Sequence, residues 1–298
     1  MPLTGTTQIT AVFGDPVAHS LSPAMHNAAY QALAMDRAYL AFHVKPDNLR
    51  AAIRAIPAMG LLGVNLTLPH KERALRMLDG LSGEARSLGA VNCVVNRRDG
   101  LYGDNTDARG LETDLRERGV VVARRGVVIV GAGGGAAAAV LAAVRMGASQ
   151  VLICNRTRSR AMRLARRFAG RAGRIIRVMG LDALTDRGAL SAAALVINAT
   201  SIELHTAREL NKAGGQGTVR FPELDYEATP RDCFFYDLFY GAKPTQFLER
   251  AHSAGRSNSD GAGMLLNQAV LAFRLFNGVA PPVDVMRRAL MEHLGRAI

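Results

Sequence analysis

The sequence predicts an α/β protein of two domains, on three observations. Apolar, β-branched runs alternate with helix-patterned stretches along most of the chain, the rhythm that builds mostly parallel sheets covered by helices. A glycine-rich segment, GVVIVGAGGGAAAAV at 126–140, restarts that rhythm after the polar join RERGVVVARRG. The length, 298 residues, exceeds one usual domain, on a prior of roughly one per 150 residues.

Taken in order, ITAVF (9–13) reads as a strand, and Ser22 before Pro23 reads as a helix cap followed by a proline in the first turn. That helix runs toward Leu33; YLAFHV (39–44) is the next strand, and a helix from Pro46 runs toward Ile56. GVNLTL alternates as a half-buried strand does, and Pro69 ends it because proline cannot donate to a ladder. KERALRML (71–78) carries apolar residues at helical spacing, so Lys71 is expected at a helix start, where its charge opposes the macrodipole. Residues 91–103 read as a hairpin turning at Asp99-Gly100, and Ala108 to Arg118 as a helix.

GVVIV is a strand without a polar position, as expected when both faces are covered. VLICN, IIRVMG, ALVINAT and CFFYDLFYG continue the strands, and the chain is helical from Gly261 on. The stretch 202–232 reads as a long surface loop.

Composition excludes several classes. No run of ~18 apolar residues offers a membrane span, and MPLTGTTQIT lacks a secretion-signal layout. Cys93, Cys154 and Cys233 lie far apart, which fits a reducing, cytoplasmic location and neither a disulfide framework nor a metal site. The net charge of +12 is mostly arginine in helices such as RTRSRAMRLARRF, with no tryptophan and 5% aromatics, so nucleic acid is not the expected partner.

Gly131, Gly133 and Ala136 stand in the spacing G-x-G-x-x-A directly after a strand and before a helix. Gly131 permits a tight turn, Gly133 close approach of a pyrophosphate, and Ala136 close packing of helix on strand. A dinucleotide is therefore expected on a Rossmann domain. An NAD site offers an acid at the end of the second strand. Here Asn155, Arg156, Thr157, Arg158, Ser159 and Arg160 follow instead, and guanidinium groups suit a 2′-phosphate. NADP is favoured over NAD.

Polar residues in the first 110 positions stand where apolar packing would be simpler: Ser20, Ser22, Asn65, Thr67, Asn92 and the run DNTD at 104–107. Taken singly, Ser22 and Asp107 are explained as helix caps. Together, NLTLPHK, GAVN, GDNTD, GAGGGA, NRT, NATS, YDLFYG and SDGAGMLLNQ stand in the order and spacing of the shikimate dehydrogenase family, which the chain resembles over nearly its whole length.

The resemblance implies an N-terminal α/β substrate domain with a mixed, mostly parallel sheet and a Rossmann NADP-binding domain, with the active-site cleft between them. It implies domains at 1–108 with 262–298 and at 109–261. It also implies NADP-dependent, reversible reduction of 3-dehydroshikimate to shikimate in aromatic amino-acid biosynthesis. Lys71 and Asp107 match the family's acid/base pair. Ser20, Ser22, Asn65, Thr67, Asn92, Tyr240 and Gln268 match its substrate contacts, and His70 has no role. Gly131, Ala132, Gly133, Gly134, Gly135, Asn155, Arg156, Thr157, Arg160, Ala199, Thr200, Leu238 and Gly261 fall in its cofactor segments.

The chain departs from the family after NATS, with Ile202, Glu203, Leu204 and His205. A paralogue acting on quinate or a related polyol acid with NAD stays open, as does a ligand sensor; a sensor has no need of the Lys71/Asp107 pair. Monomer and homodimer are both compatible with the sequence.

Overall fold

The computed structural model describes residues 3–200, 202 and 221–296. The chain divides into two compact units, Met1–Gly110 with Leu265–Ile298, and Leu111–Met264.

In the first unit, β1 (Gln8–Gly14) lies between β2 (Arg37–His43) and β3 (Gly63–Leu66), parallel to both. β5 (Cys93–Arg97) pairs antiparallel with β3 and with β6 (Gly100–Asp104), and β4 (Gly80–Leu81) closes the sheet parallel to β6. The order is β2-β1-β3-β5-β6-β4, a mixed sheet. α1 (Ser22–Ala32) packs on α11 (Val283–His293), and α2 (Leu49–Ala58) buries Leu49, Ile53 and Ile56 in the core beneath the sheet. The spacing of those three, four then three residues, is one helical face. Gly63 lies so close under Phe276 that a Cβ would stand 2.4 Å from its ring.

The strands of the second unit are β7 (Gly126–Val130), β8 (Gln150–Cys154), β9 (Ile176–Met179), β10 (Ala193–Asn198), β11 (Phe234–Asp237) and β12 (Asn258–Ser259). They form an all-parallel sheet ordered β12-β11-β10-β7-β8-β9. The chain winds outward from β7 to β9, then crosses to β10 and winds the other way. The switch point therefore falls between β7 and β10, where such sheets open a crevice beyond their carboxyl ends. α5 (Gly134–Arg145) reaches the sheet through an unbroken buried run, Ala136 to Ala143, whose small side chains let the backbones approach.

Four expectations need correction. KERALRML forms a five-residue 3-10 turn, Arg73–Met77, not an α-helix, because Leu78 already returns to extended backbone toward β4. Lys71 therefore has no α-helix terminus to aim it. Ser22 does not cap α1; Leu21 holds the cap position without a side-chain bond, and Ser20 Oγ accepts from the Ser22 N–H at 3.4 Å. The hairpin loop is Arg98-Asp99, one residue earlier than read, since Arg97 pairs Gly100.

The surface-loop reading fails at its far end. Phe221, Leu224 and Tyr226 are buried in the second core, with Phe221 against Phe247 and Tyr226 against Phe235. Residues 203–220, including the departures at Glu203, Leu204 and His205, lie outside the described residues. Among the described residues no helix is long and apolar enough to cross a membrane, and the three cysteines are free and buried.

His26 is an unusual element of the first core. Its ring is fully buried, stacked on Tyr39 at 4.2 Å and flanked by Phe273 at 5.8 Å, and neither nitrogen has a hydrogen-bond partner among the described residues. Burial pushes its pKa from 6.5 down to about 3. Because the folded value lies below the unfolded one, the unfolded chain binds the extra proton between them, and stability falls as pH drops through that window. At about 1.4 kcal/mol per pH unit, the loss from this group between pH 6.5 and pH 5 is about 2 kcal/mol. His26→Phe keeps the stacked ring and removes the titration. Urea unfolding at pH 7 and pH 5 should show the wild type losing about 2 kcal/mol more than the variant; equal losses would contradict this account of the ring.

Candidate active site

The polar residues of the first unit are joined by a continuous set of hydrogen bonds. Lys71 follows the turn after β3, and its carbonyl accepts the Val91 N–H at 2.8 Å. Its ammonium donates to Asp107 Oδ2 at 2.7 Å. Asp107 opens α4 (Asp107–Glu117) but does not cap it; its other oxygen accepts Asn92 Nδ2 at 2.7 Å. The lysine side chain keeps 27% of its surface and the aspartate 11%, so the amine is the part of the pair that a ligand can reach.

Asn92 is buried and committed on every side. Its Oδ1 accepts the Thr106 N–H at 2.8 Å, and its Nδ2 donates to Thr106 Oγ1 as well as to Asp107. Asn65 is held the same way: Tyr39 Oη donates to its Oδ1 at 2.7 Å, and its Nδ2 donates to the Asn92 carbonyl. Burial pushes the Tyr39 phenol well above the usual range. These bonds settle which way each amide points, leaving one Asn65 N–H for another partner.

Gln268, on α10 (Ala262–Asn277), accepts from Thr106 Oγ1 at 3.5 Å and donates to the Leu265 carbonyl. Asn65, Lys71, Asn92, Asp107 and Gln268 are thus brought into one network. Thr67 stands just past β3, with its N–H on the Phe13 carbonyl and its methyl against Gly14. Ser20 and Ser22 are tied to each other through the Ser22 amide, beside this network and not in it. Tyr240 belongs to the second unit, where its ring stacks on Phe239.

Sequence reading assigned nothing to Tyr39 or Thr106, the two links of this network. Tyr39 looks like any strand aromatic. Thr106 sits inside DNTD, and the one hint lay in its neighbours: a hydroxyl between two polar residues that cannot be buried without a partner.

In the second unit the glycine loop ends β7 at the switch point. Gly131 has φ +120°, and a Cβ there would stand 2.7 Å from the Ala199 carbonyl oxygen. A Cβ on Gly135 would stand 2.7 Å from the Leu238 side chain, and one on Gly261 would stand 2.4 Å from the Leu238 carbonyl oxygen. Gly133 and Gly134 differ. They are exposed, and among the described residues a Cβ on either would meet nothing within 4 Å. No atom of the described residues demands glycine there, whereas a ligand laid on the first-turn N–H groups of α5 would. Ala132 lies between the strained and the open glycines, half-buried.

Past β8, Asn155 donates to the Thr157 carbonyl at 2.8 Å and shapes the turn into α6 (Arg158–Arg167). Arg156 and Arg160 are exposed there, a cationic rim where the ribose of a dinucleotide on this fold lies. Ala199 and Thr200 extend β10, and Leu238 extends β11. Among the described residues no group of three histidine, cysteine, aspartate or glutamate side chains could hold a metal ion.

Comparison with known proteins adds the following. The family model described as shikimate dehydrogenase substrate binding domain matches residues 12–94. That of shikimate / quinate 5-dehydrogenase matches 115–215, and that of the shikimate 5′-dehydrogenase C-terminal domain matches 261–291. Shikimate dehydrogenase (NADP(+)) of Symbiobacterium thermophilum is 41% identical over 97% of this chain and 96% of its own. The enzyme of the same name from a Geobacter species is 38% identical over 99% and 98%. The crystal structure of shikimate 5-dehydrogenase from Thermus thermophilus in complex with NADP(H) and shikimate is 35% identical, with a TM-score of 0.80 over 96% of this chain and all of that one.

The two kinds of glycine should separate on substitution. Gly131→Ala combines a strained φ with a backbone clash and should cost about 2 kcal/mol or more of stability. Gly133→Ala should change stability by no more than about 1 kcal/mol and still weaken dinucleotide binding roughly tenfold, because its methyl occupies space that only a ligand uses. Urea unfolding paired with calorimetric titration of each variant decides; unaltered affinity in Gly133→Ala would contradict the cradle.

Proposed function

Because the chain belongs to the shikimate dehydrogenase family, we propose that it catalyses the reversible, NADP-dependent reduction of 3-dehydroshikimate to shikimate. The observation that carries this reading is the 2.7 Å contact between Lys71 Nζ and Asp107 Oδ2, closed on its other side by Asn92. When bound, NADPH supplies the hydride that reduces the substrate carbonyl. Lys71 Nζ delivers the proton to the carbonyl oxygen in reduction and receives it from the hydroxyl in oxidation. Asp107 fixes the direction of the ammonium, and Asn92 fixes Asp107.

In this reading residues 1–108 and 262–298 hold the substrate and residues 109–261 hold NADP. Ser20, Ser22, Asn65, Thr67 and Gln268 contact its carboxylate and hydroxyls, and Tyr240 lies near its carboxylate. Neutral hydroxyls and amides match a polyhydroxylated acid without leaving a buried charge unpaired. Asn92 contacts the substrate less than the family pattern implies, since Asp107 and Thr106 already take its N–H groups. Arg156 and Arg160 pair with the 2′-phosphate, which favours NADP over NAD. A cytoplasmic enzyme acting on a small molecule, with no nucleic-acid partner, fits the free cysteines.

The test is an oxidation assay with shikimate and with quinate, each with NADP and with NAD. Shikimate with NADP should be the best pair by at least tenfold in kcat/KM. Lys71→Ala should lower kcat by about 10²–10⁴-fold with the fold intact by circular dichroism. Asp107→Asn should lose nearly as much, and the double variant little more, because the two act as one unit. Preference for quinate, or a Lys71→Ala enzyme with wild-type kcat, would overturn the reading.

A further inference from the structure

A second buried network lies in the second unit and has no part in the proton chemistry. Asp237, at the end of β11, is fully buried, and Asn198, at the end of the neighbouring β10, is 2% exposed. Asn198 Nδ2 donates to Asp237 Oδ2 at 3.1 Å, and Thr245 Oγ1 donates to the same oxygen at 2.7 Å. The other Asp237 oxygen accepts the Phe239 N–H at 3.0 Å. Asn198 Oδ1 turns the opposite way and accepts both the N–H and the hydroxyl of Thr200, at 3.0 and 2.7 Å.

Each side chain therefore reaches forward into the segment that follows its own strand. The Asn198 carbonyl adds a third tie, accepting the Leu238 N–H at 2.9 Å. Those segments, Ala199-Thr200 and Leu238-Phe239, are the ones packed on the glycine loop: the Ala199 carbonyl stands over Gly131, and the Leu238 side chain stands over Gly135. A plain stabilising role would be served by apolar residues at two adjacent strand ends. A buried carboxylate and its partner amide, each with an acceptor directed into the segment after its own strand, serve geometry instead.

We infer that Asn198 and Asp237 are a positioning pair that sets the two strand-end segments against the dinucleotide, and so determine its affinity. This rests on the reading of Gly131, Ala199, Thr200 and Leu238 as cofactor contacts. The pair is directional. In Asp237→Asn one amide donor must face another donor, either Asn198 Nδ2 or the Phe239 N–H, whichever way the new amide turns. In Asn198→Asp two carboxylate oxygens face each other. In the exchange, Asn198→Asp with Asp237→Asn, the amide introduced on β11 donates to the carboxylate introduced on β10. Thr200 and Phe239 then keep their acceptors, while the Thr245 hydroxyl loses its own.

Binding of NADP by calorimetry and hydrogen exchange by mass spectrometry test this on the intact protein. Each single variant should bind NADP at least tenfold more weakly and exchange faster in the peptides holding Thr200 and Phe239, with the KM for shikimate unchanged within twofold. The exchanged pair should recover affinity to within about threefold of wild type and recover protection. If a single variant does not fold, Thr245→Val, which removes one donor and no charge, should weaken NADP binding two- to fivefold.

Wild-type affinity in the single variants, or an exchanged pair no better than either, overturns the inference. A merely structural role would lower the melting temperature without changing NADP affinity and would overturn it equally. A wild-type protein that binds NADP yet oxidises no shikimate defeats the proposed function and leaves this inference standing.

Discussion

Lys71 and Asp107 are 36 positions apart, and the geometry of the first unit can be read as the means of holding their side chains 2.7 Å from each other. Neither residue could do this alone. A lysine has four rotatable bonds, so an ammonium aimed at one point needs both its backbone and its tip fixed. The antiparallel β3-β5-β6 arrangement supplies the first condition by bringing Val91 beneath the Lys71 carbonyl and by carrying the chain back to Asp107. Asn92 supplies the second, because a carboxylate held on one oxygen presents the other in a fixed direction.

The fixing continues outward through Thr106 to Gln268 and through the Asn92 carbonyl to Asn65 and Tyr39. A half-satisfied buried network is worse than an apolar core. That constraint explains why so many polar residues stand together, each taking up the other's donors. It also explains Asn92 better than substrate binding alone does. The second unit applies the same device to another end, with Asn198 and Asp237 bracing strand ends where the first unit braces the Lys71 ammonium.

What the sequence revealed depended on whether the signal was local. The runs GVVIV, VLIC and ALVI announced central strands because burial on both faces leaves no polar position. The glycine loop announced itself because a φ of +120° and a bare helix start are demands that few other residues meet. β4 and β12, two residues each, have no period to display. KERALRML showed helical spacing, yet the distance left before β4 allows only a 3-10 turn, a tertiary limit absent from the segment itself. Phe221 and Tyr226 looked like loop residues among glycines and prolines, although each is an aromatic anchor in the second core. Tyr39 and Thr106 escaped because their role is relational. A tyrosine on a strand and a threonine before an aspartate acquire meaning only once the sheet sets them beside Asn65 and Asn92.

The surplus of positive charge is where local and relational arguments meet. Several arginines are spent within the protein: Arg109 on Asp104 and Glu84, Arg118 on Asp114, Arg125 on Asp232. Arg156 and Arg160 stand exposed instead. An exposed guanidinium remains hydrated and needs no anion to be tolerated, so exposure alone says nothing of a ligand. Position says more. They follow β8, the strand adjoining the glycine-loop strand, where an acid would accept a ribose hydroxyl pair and a cation accepts a phosphate. A carboxylate there would repel a 2′-phosphate, whereas a guanidinium attracts one. The sign of one short turn thus bears on which dinucleotide a sheet of this kind would take, while the positive φ of Gly131 and the open space over Gly133 bear on whether the loop leaves room for one.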